Sequence, residues 1–182
     1  MWTVSRRITL FLVSEVRCGR SSLEPIMDTP LRILVAEDEL GDVLLLQRAF
    51  TKARVAKPIY FARDGQEVMD YLQGRPPFEN PVVFPLPNLL LLDLKLPRVS
   101  GFEVLEWLRH YPGLRRMIVV VFSASNQPED VARAYSLGAN SYVVKPQDPS
   151  ELVRVVERLQ KHWQNITTEP DQSLASSTLV VS

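Results

Sequence analysis

The chain has 182 residues, with 21 basic and 21 acidic side chains, so its net charge is zero; 46% is hydrophobic and 23% charged. These are the proportions of an ordinary globular protein with one domain and some chain to spare, and the charge balance argues against a nucleic-acid partner, whose binding rests on neutralising phosphates. A single cysteine, Cys18, excludes an internal disulfide framework and thiolate metal clusters and is compatible with the cytoplasm, and no apolar run approaches the ~20 residues of a membrane span.

Residues 1–29 do not fit the rest. Arg6 and Arg7 precede the apolar Ile8-Thr9-Leu10-Phe11-Leu12-Val13, but Glu15, Arg17 and Arg20 follow at once and no small-residue cleavage site is present. The segment reads either as a flexible extension or as sequence upstream of a start at Met27. A regular domain spans 30–163. Leu31 to Ala36 is a strand ending in the acidic run Glu37-Asp38-Glu39, and the apolar spacing of Val43 to Phe50 suits a helix with one buried face. Pro58 to Ala62 is a second strand punctuated by Asp64-Gly65, with a helix from Gln66 to Gln73. Five prolines make Gly74 to Pro87 a long irregular loop.

Asn88-Leu89-Leu90-Leu91-Leu92-Asp93 is a short apolar run ending abruptly in an acid. Bounded by Pro87 and Pro97, it reads as a strand buried on both faces. A tight loop to Gly101 and a helix from Phe102 to His110 follow. Met117 to Phe122 is a β-branched strand ending in Ser123-Ala124-Ser125. Pro128 opens a helix that Gly138 stops. Ser141 to Val144 is a fifth strand closing on Lys145-Pro146, and Asp148 and Ser150 can cap a helix running to about Trp163. Residues 164–182, rich in Ser and Thr, read as a flexible tail.

Five βα units in succession predict an α/β fold: a doubly wound, five-stranded parallel sheet in the flavodoxin-like strand order 2-1-3-4-5. In that order Glu37, Asp38 and Asp93 converge where the sheet reverses, the usual place for a ligand. Crowded carboxylates call for a cation, and an all-oxygen set suits Mg2+. Lys145 and Ser123, at the ends of strands five and four, face the same pocket and fit an incoming phosphoryl group. Each residue alone has a plainer reading: the acidic run as a solvated turn, Asp93 as a cap, Lys145 as a structural partner of Asp93. Their joint placement at one sheet edge favours function.

From about Arg32 to Trp163 the sequence resembles the receiver domains of bacterial response regulators. The resemblance rests on Ile33-Leu34-Val35-Ala36-Glu37-Asp38, Asp93-Leu94-Lys95-Leu96-Pro97 with Gly101, Ser123-Ala124, and Tyr142-Val143-Val144-Lys145-Pro146. It implies that Asp93 accepts a phosphoryl group from a sensor histidine kinase. It also implies that Glu37, Asp38, Asp93 and the Lys95 backbone carbonyl hold Mg2+, and that Lys145 pairs with a phosphoryl oxygen. Ser123 would turn toward the phosphoryl group, vacating space that the aromatic switch Tyr142 can fill, and the Lys145–Pro146 bond would be cis. Ser123 stands where Thr is also common, and Ser100 replaces the Asp often found before Gly101. A narrower resemblance, carried by Glu37 to Asp42, Ala62 to Val68 and the long loop, is to the single-domain regulators that partner bacterial phytochromes.

The chain is thus expected to be a cytoplasmic phospho-acceptor rather than an enzyme acting on a separate substrate, promoting its own phosphoryl transfer and dephosphorylation. With no output domain expected, it would signal by altered binding to a downstream protein. A homodimer is expected through helix four, strand five and helix five, using Val143 and Val144 on an edge strand with Arg133, Arg154 and Glu157. Two rivals stand beside this reading. A magnesium phosphatase with an aspartyl nucleophile would want an acid where Lys95 stands. A flavodoxin-like cofactor carrier would want a phosphate loop where Glu37-Asp38-Glu39 stands.

Overall fold

A computed structural model describes residues 31–55, 58–114 and 117–168. The expected extension 1–29 and the residues after Thr168 lie outside them. Five strands, β1 (Ile33–Ala36), β2 (Ile59–Ala62), β3 (Leu89–Leu92), β4 (Ile118–Ser123) and β5 (Ser141–Val144), alternate with α1 (Leu40–Lys52), α2 (Gly65–Gln73), α3 (Gly101–His110), α4 (Pro128–Ser136) and α5 (Pro149–Thr168). All strand pairs are parallel and the order is β2-β1-β3-β4-β5, as the succession of βα units predicts.

The leucine run shows why this sheet forms. Successive strand side chains point to opposite faces, so Leu90 and Leu92 join one apolar layer with Leu34, Val119 and Val121, beneath Val68, Val104 and Leu105 of α2 and α3. Leu89 and Leu91 join the other with Ile33, Val35 and Val120, beneath Leu46 and Phe50 of α1 and Leu152 and Val156 of α5. A strand with helices on both faces has no polar side, so alternation is lost and four leucines in a row result. The central strands β1 and β3 are buried throughout, whereas the edge strands β2 and β5 are mostly half-buried.

Helix ends follow local chemistry. Asp64 caps α2 by accepting from the Glu67 N–H at 2.8 Å, and Gly74 ends it at φ +62°. Ser100 and Glu103 form a capping box on α3, so the serine that departs from the receiver pattern has a structural use. Two helix bounds differ from the sequence reading. The apolar spacing starts at Val43, but α1 begins at Leu40 and so takes Asp42 into its first turn, where the positive end of the helix favours an acid. Helix α5 continues past Trp163 to Thr168, the next breaker in the sequence being Pro170.

The loop from Gly74 to Pro87 is irregular, as expected, yet it is packed. Phe78 and Phe84 meet edge to face at 5.2 Å and gather Tyr71 and Tyr60 into one aromatic cluster. The Tyr71 hydroxyl donates to the Pro85 carbonyl at 3.1 Å. Contrary to the expectation from the family pattern, the Lys145–Pro146 bond is trans; among the described residues the cis bond is Pro76–Pro77. Lys145 reaches its carboxylate partners from the trans form.

Candidate functional site

Every residue singled out at a strand end lies at the carboxyl edge of the sheet. Ala36 and Leu92 are register partners on adjacent strands, which places the next residues, Glu37 and Asp93, side by side. The Asp93 N–H donates to the Ala36 carbonyl and the Glu37 N–H to that of Ala62, at 3.1 and 2.9 Å. Backbone pairing therefore continues just past the strands and fixes both acids. Glu37 is 2% and Asp93 6% exposed, while Asp38 is exposed. One carboxylate oxygen from each of the three lies within 4.8 Å of the others.

Lys145 closes the cluster. Its backbone N–H donates to the Ser123 carbonyl, extending the β4–β5 pairing by one residue. Its Nζ then donates to Glu37 Oε2 at 2.6 Å, Asp93 Oδ2 at 2.7 Å and Asp42 Oδ2 at 2.9 Å, using all three ammonium protons. Burial works against the Lys145 charge, but the bonds from Asp93, Glu37 and Asp42 outweigh it and raise its pKa. Glu37 behaves oppositely. Burial pushes its carboxyl up to about 7 despite Lys145, with Asp93 and Asp42 adding repulsion.

Three carboxylates on one ammonium, with Asp38 beside them, leave an excess of negative charge, and that excess fits a divalent cation held by Glu37, Asp38 and Asp93. Lys95, whose carbonyl is the expected further ligand, has an exposed side chain, and its N–H donates to Asp93 Oδ1 at 3.2 Å. Ser123 is wholly buried and its Oγ makes no hydrogen bond. A buried hydroxyl without a partner at this edge suits an incoming oxyanion.

Tyr142 sits apart from the carboxylates. It is 5% exposed, and its hydroxyl donates to the Ser125 carbonyl at 2.9 Å. Burial raises its pKa, against the lowering influence of Ser125 and, more weakly, of Ser123. Asp42, quoted in a motif but given no role, is the contact the sequence reading missed. Its signal was its position, an acid four residues after Asp38 in the first turn of the helix that follows the acidic run.

Comparisons agree with this geometry. Residues 33–157 match the family described as the response regulator receiver domain. The chain is 37% identical over 141 residues to the probable methanogenesis regulatory protein FilR2 of Methanothrix harundinacea, covering 75% of this chain and 85% of FilR2. It is 35% identical over 141 residues to response regulator Rcp1 of Synechocystis, covering 78% and 94%. Among solved structures, response regulator RPA3017 in red light signaling of R. palustris superposes with a TM-score of 0.71 at 34% identity, over 76% of this chain and 96% of that one. The Mn2+-bound form of Rcp1 gives 0.68 at 34%, over 78% and 100%. The phosphorylated cyanobacterial phytochrome response regulator RcpA gives 0.70 at 34%, over 78% and 99%.

Proposed function

The chain belongs to the response regulator receiver domain family, and from that premise we propose that Asp93 accepts a phosphoryl group from the phosphohistidine of a sensor kinase, a phytochrome being the kinase type its relatives point to. One observation carries the reading: Asp93, buried at the end of the central strand, shares the Lys145 ammonium with Glu37 at 2.7 and 2.6 Å. A carboxylate oxygen of Asp93 attacks phosphorus in line, the bond from phosphorus to the kinase imidazole breaks, and the electron pair stays on that nitrogen. Lys145 transfers its hydrogen bonds to the phosphoryl oxygens, and the Ser123 hydroxyl gains an acceptor by turning toward them. Glu37, Asp38, Asp93 and the Lys95 carbonyl would hold Mg2+, which neutralises charge on the transferring group. In the same pocket water can then attack phosphorus, the bond from phosphorus to the Asp93 oxygen breaks, and inorganic phosphate leaves with the carboxylate restored.

Lys95 rather than an acid stands two residues after Asp93, which leaves a phosphatase without its general acid. The described residues include no helix long and apolar enough to cross a membrane. Signalling then depends on a protein surface, with the α4–β5–α5 face as dimer contact. Arg154 and Glu157 are exposed there and Val143 and Val144 are half-buried, while Arg133 is stacked 4.2 Å over the Phe102 ring. Labelling by acetyl phosphate or a phosphorylated kinase tests the core assignment. D93N, nearly isosteric, should keep the fold and lose the label; undiminished labelling would refute the role of Asp93.

A further inference from the structure

We propose that Asp64 and Arg98 form a clamp that positions the loop between β3 and α3, and with it the Lys95 carbonyl, for the divalent cation. The proposal rests on the metal site proposed above. Asp64 and Gly65 belong to the Ala62–Val68 stretch that the site chemistry does not use. Asp64 lies at the end of β2, is 9% exposed, and caps α2 with Oδ1. Its other oxygen, Oδ2, forms an ion pair with the Arg98 guanidinium. Arg98 is in the loop after Asp93, far along the chain. Its φ is +63°, a backbone conformation that strains a residue with a Cβ and that Gly or Asn adopts more readily. The ion pair, made by a largely exposed arginine side chain to a mostly buried carboxylate, ties this loop position to the start of α2.

A second contact, independent of charge, joins the same two segments. A Cβ on Gly65 would lie 2.1 Å from the Val99 carbonyl oxygen and 2.9 Å from Val104 Cγ2. The loop backbone thus rests directly on the first residue of α2. Further along, the Gly101 N–H donates to the Leu94 carbonyl at 3.0 Å. Lys95 therefore sits in a short arch between Asp93, which β3 fixes, and Arg98, which Asp64 fixes. Both ends of the arch are tied, and its carbonyl is positioned by backbone rather than by a rotatable side chain. Asp64 and Arg98 touch neither the cation nor the phosphoryl group; they are positioning residues.

The full chain carrying D64N or R98N tests this. Asn still caps α2 at position 64 and tolerates positive φ at position 98, so both variants should fold. Without divalent cation, hydrogen exchange of the Val99 and Gly101 amides should accelerate at least tenfold in each variant, with β1 and β3 amides unchanged. Mn2+ alone, titrated and followed by its paramagnetic resonance, should bind five- to tenfold more weakly to both. The double variant should be no worse than either single one, since the two residues act as a unit. A pure charge effect has another signature: losing Arg98 would tighten Mn2+ and losing Asp64 would loosen it. Tighter or unchanged binding in R98N overturns the proposal, as does unaltered exchange. D38A is the control for the metal site itself. If it binds Mn2+ as well as the unaltered chain, the metal reading fails, and the exchange result still decides whether the clamp holds the loop.

Discussion

A methyl group on Gly101 would fall 2.2 Å from the carbonyl oxygen of Asp93 and 2.8 Å from the Leu94 Cα. Both obstacles are backbone, so no side chain can swing away to make room. G101A is expected to lose at least ~1–3 kcal/mol of stability, the usual cost of overpacking, and to shift Asp93 with it. Urea unfolding measures the first effect and acetyl phosphate labelling of the still-folded variant the second. A variant of full stability would mean that the loop adapts at no cost.

Divalent cations should bind without any phosphoryl group present, because the carboxylates crowd one edge in the resting protein. D38A, which removes an exposed ligand and disturbs no core packing, should weaken Mg2+ at least about tenfold, the loss seen even for residues that merely support a metal ligand. Equal affinity in a calorimetric titration would reduce the acidic run to a solvated turn.

Glu37 links pH to stability when metal is chelated. Its folded pKa is pushed up to about 7 by burial, whereas the unfolded chain titrates near the ordinary ~4.3. Between these values the native state holds the extra proton, so this contribution is complete at low pH and disappears as pH rises through 7. E37Q mimics the protonated form. In EDTA, its urea midpoint relative to wild type should therefore climb from pH 5 to pH 8; a constant difference would contradict the raised pKa.

The two-fold contact through α4, β5 and α5 makes a prediction about mass. The large exposed apolar side chains among the described residues are Leu40, Leu44, Val82, Val83, Leu86 and Tyr111, none of them on that face. The apolar contribution there is confined to half-buried side chains such as Val143 and Val144, so the exposed charges Arg154 and Glu157 should make a dimer salt-sensitive. Light scattering at tens of micromolar should give a dimer at low salt with a phosphoryl mimic, weakening in high salt. A monomer under both conditions excludes the contact.

The sheet was legible because each strand carries its own signal: a short apolar run, stopped by polar residues, between helical periods. The site was legible for the same reason, since strand ends in a parallel sheet must share one edge. What escaped were relations between distant segments. Nothing local to Arg98 announces Asp64, and nothing in the prolines of the long loop announces that Phe78 and Phe84 pack on Tyr71. Asp42 escaped because apolar periodicity begins three residues after the helix does. The contact from the Tyr142 hydroxyl to the Ser125 carbonyl likewise depends on the fold of the loop after β4, which no local pattern announces.

Ser123 carries a consequence for any effort to harden this protein. Its hydroxyl is buried and bonded to nothing, and such a group costs about 1–3 kcal/mol. S123A should therefore melt higher than the natural chain while responding more weakly to phosphorylation. If S123A behaves so, heat resistance and the proposed phosphoryl response would pull this position toward different residues.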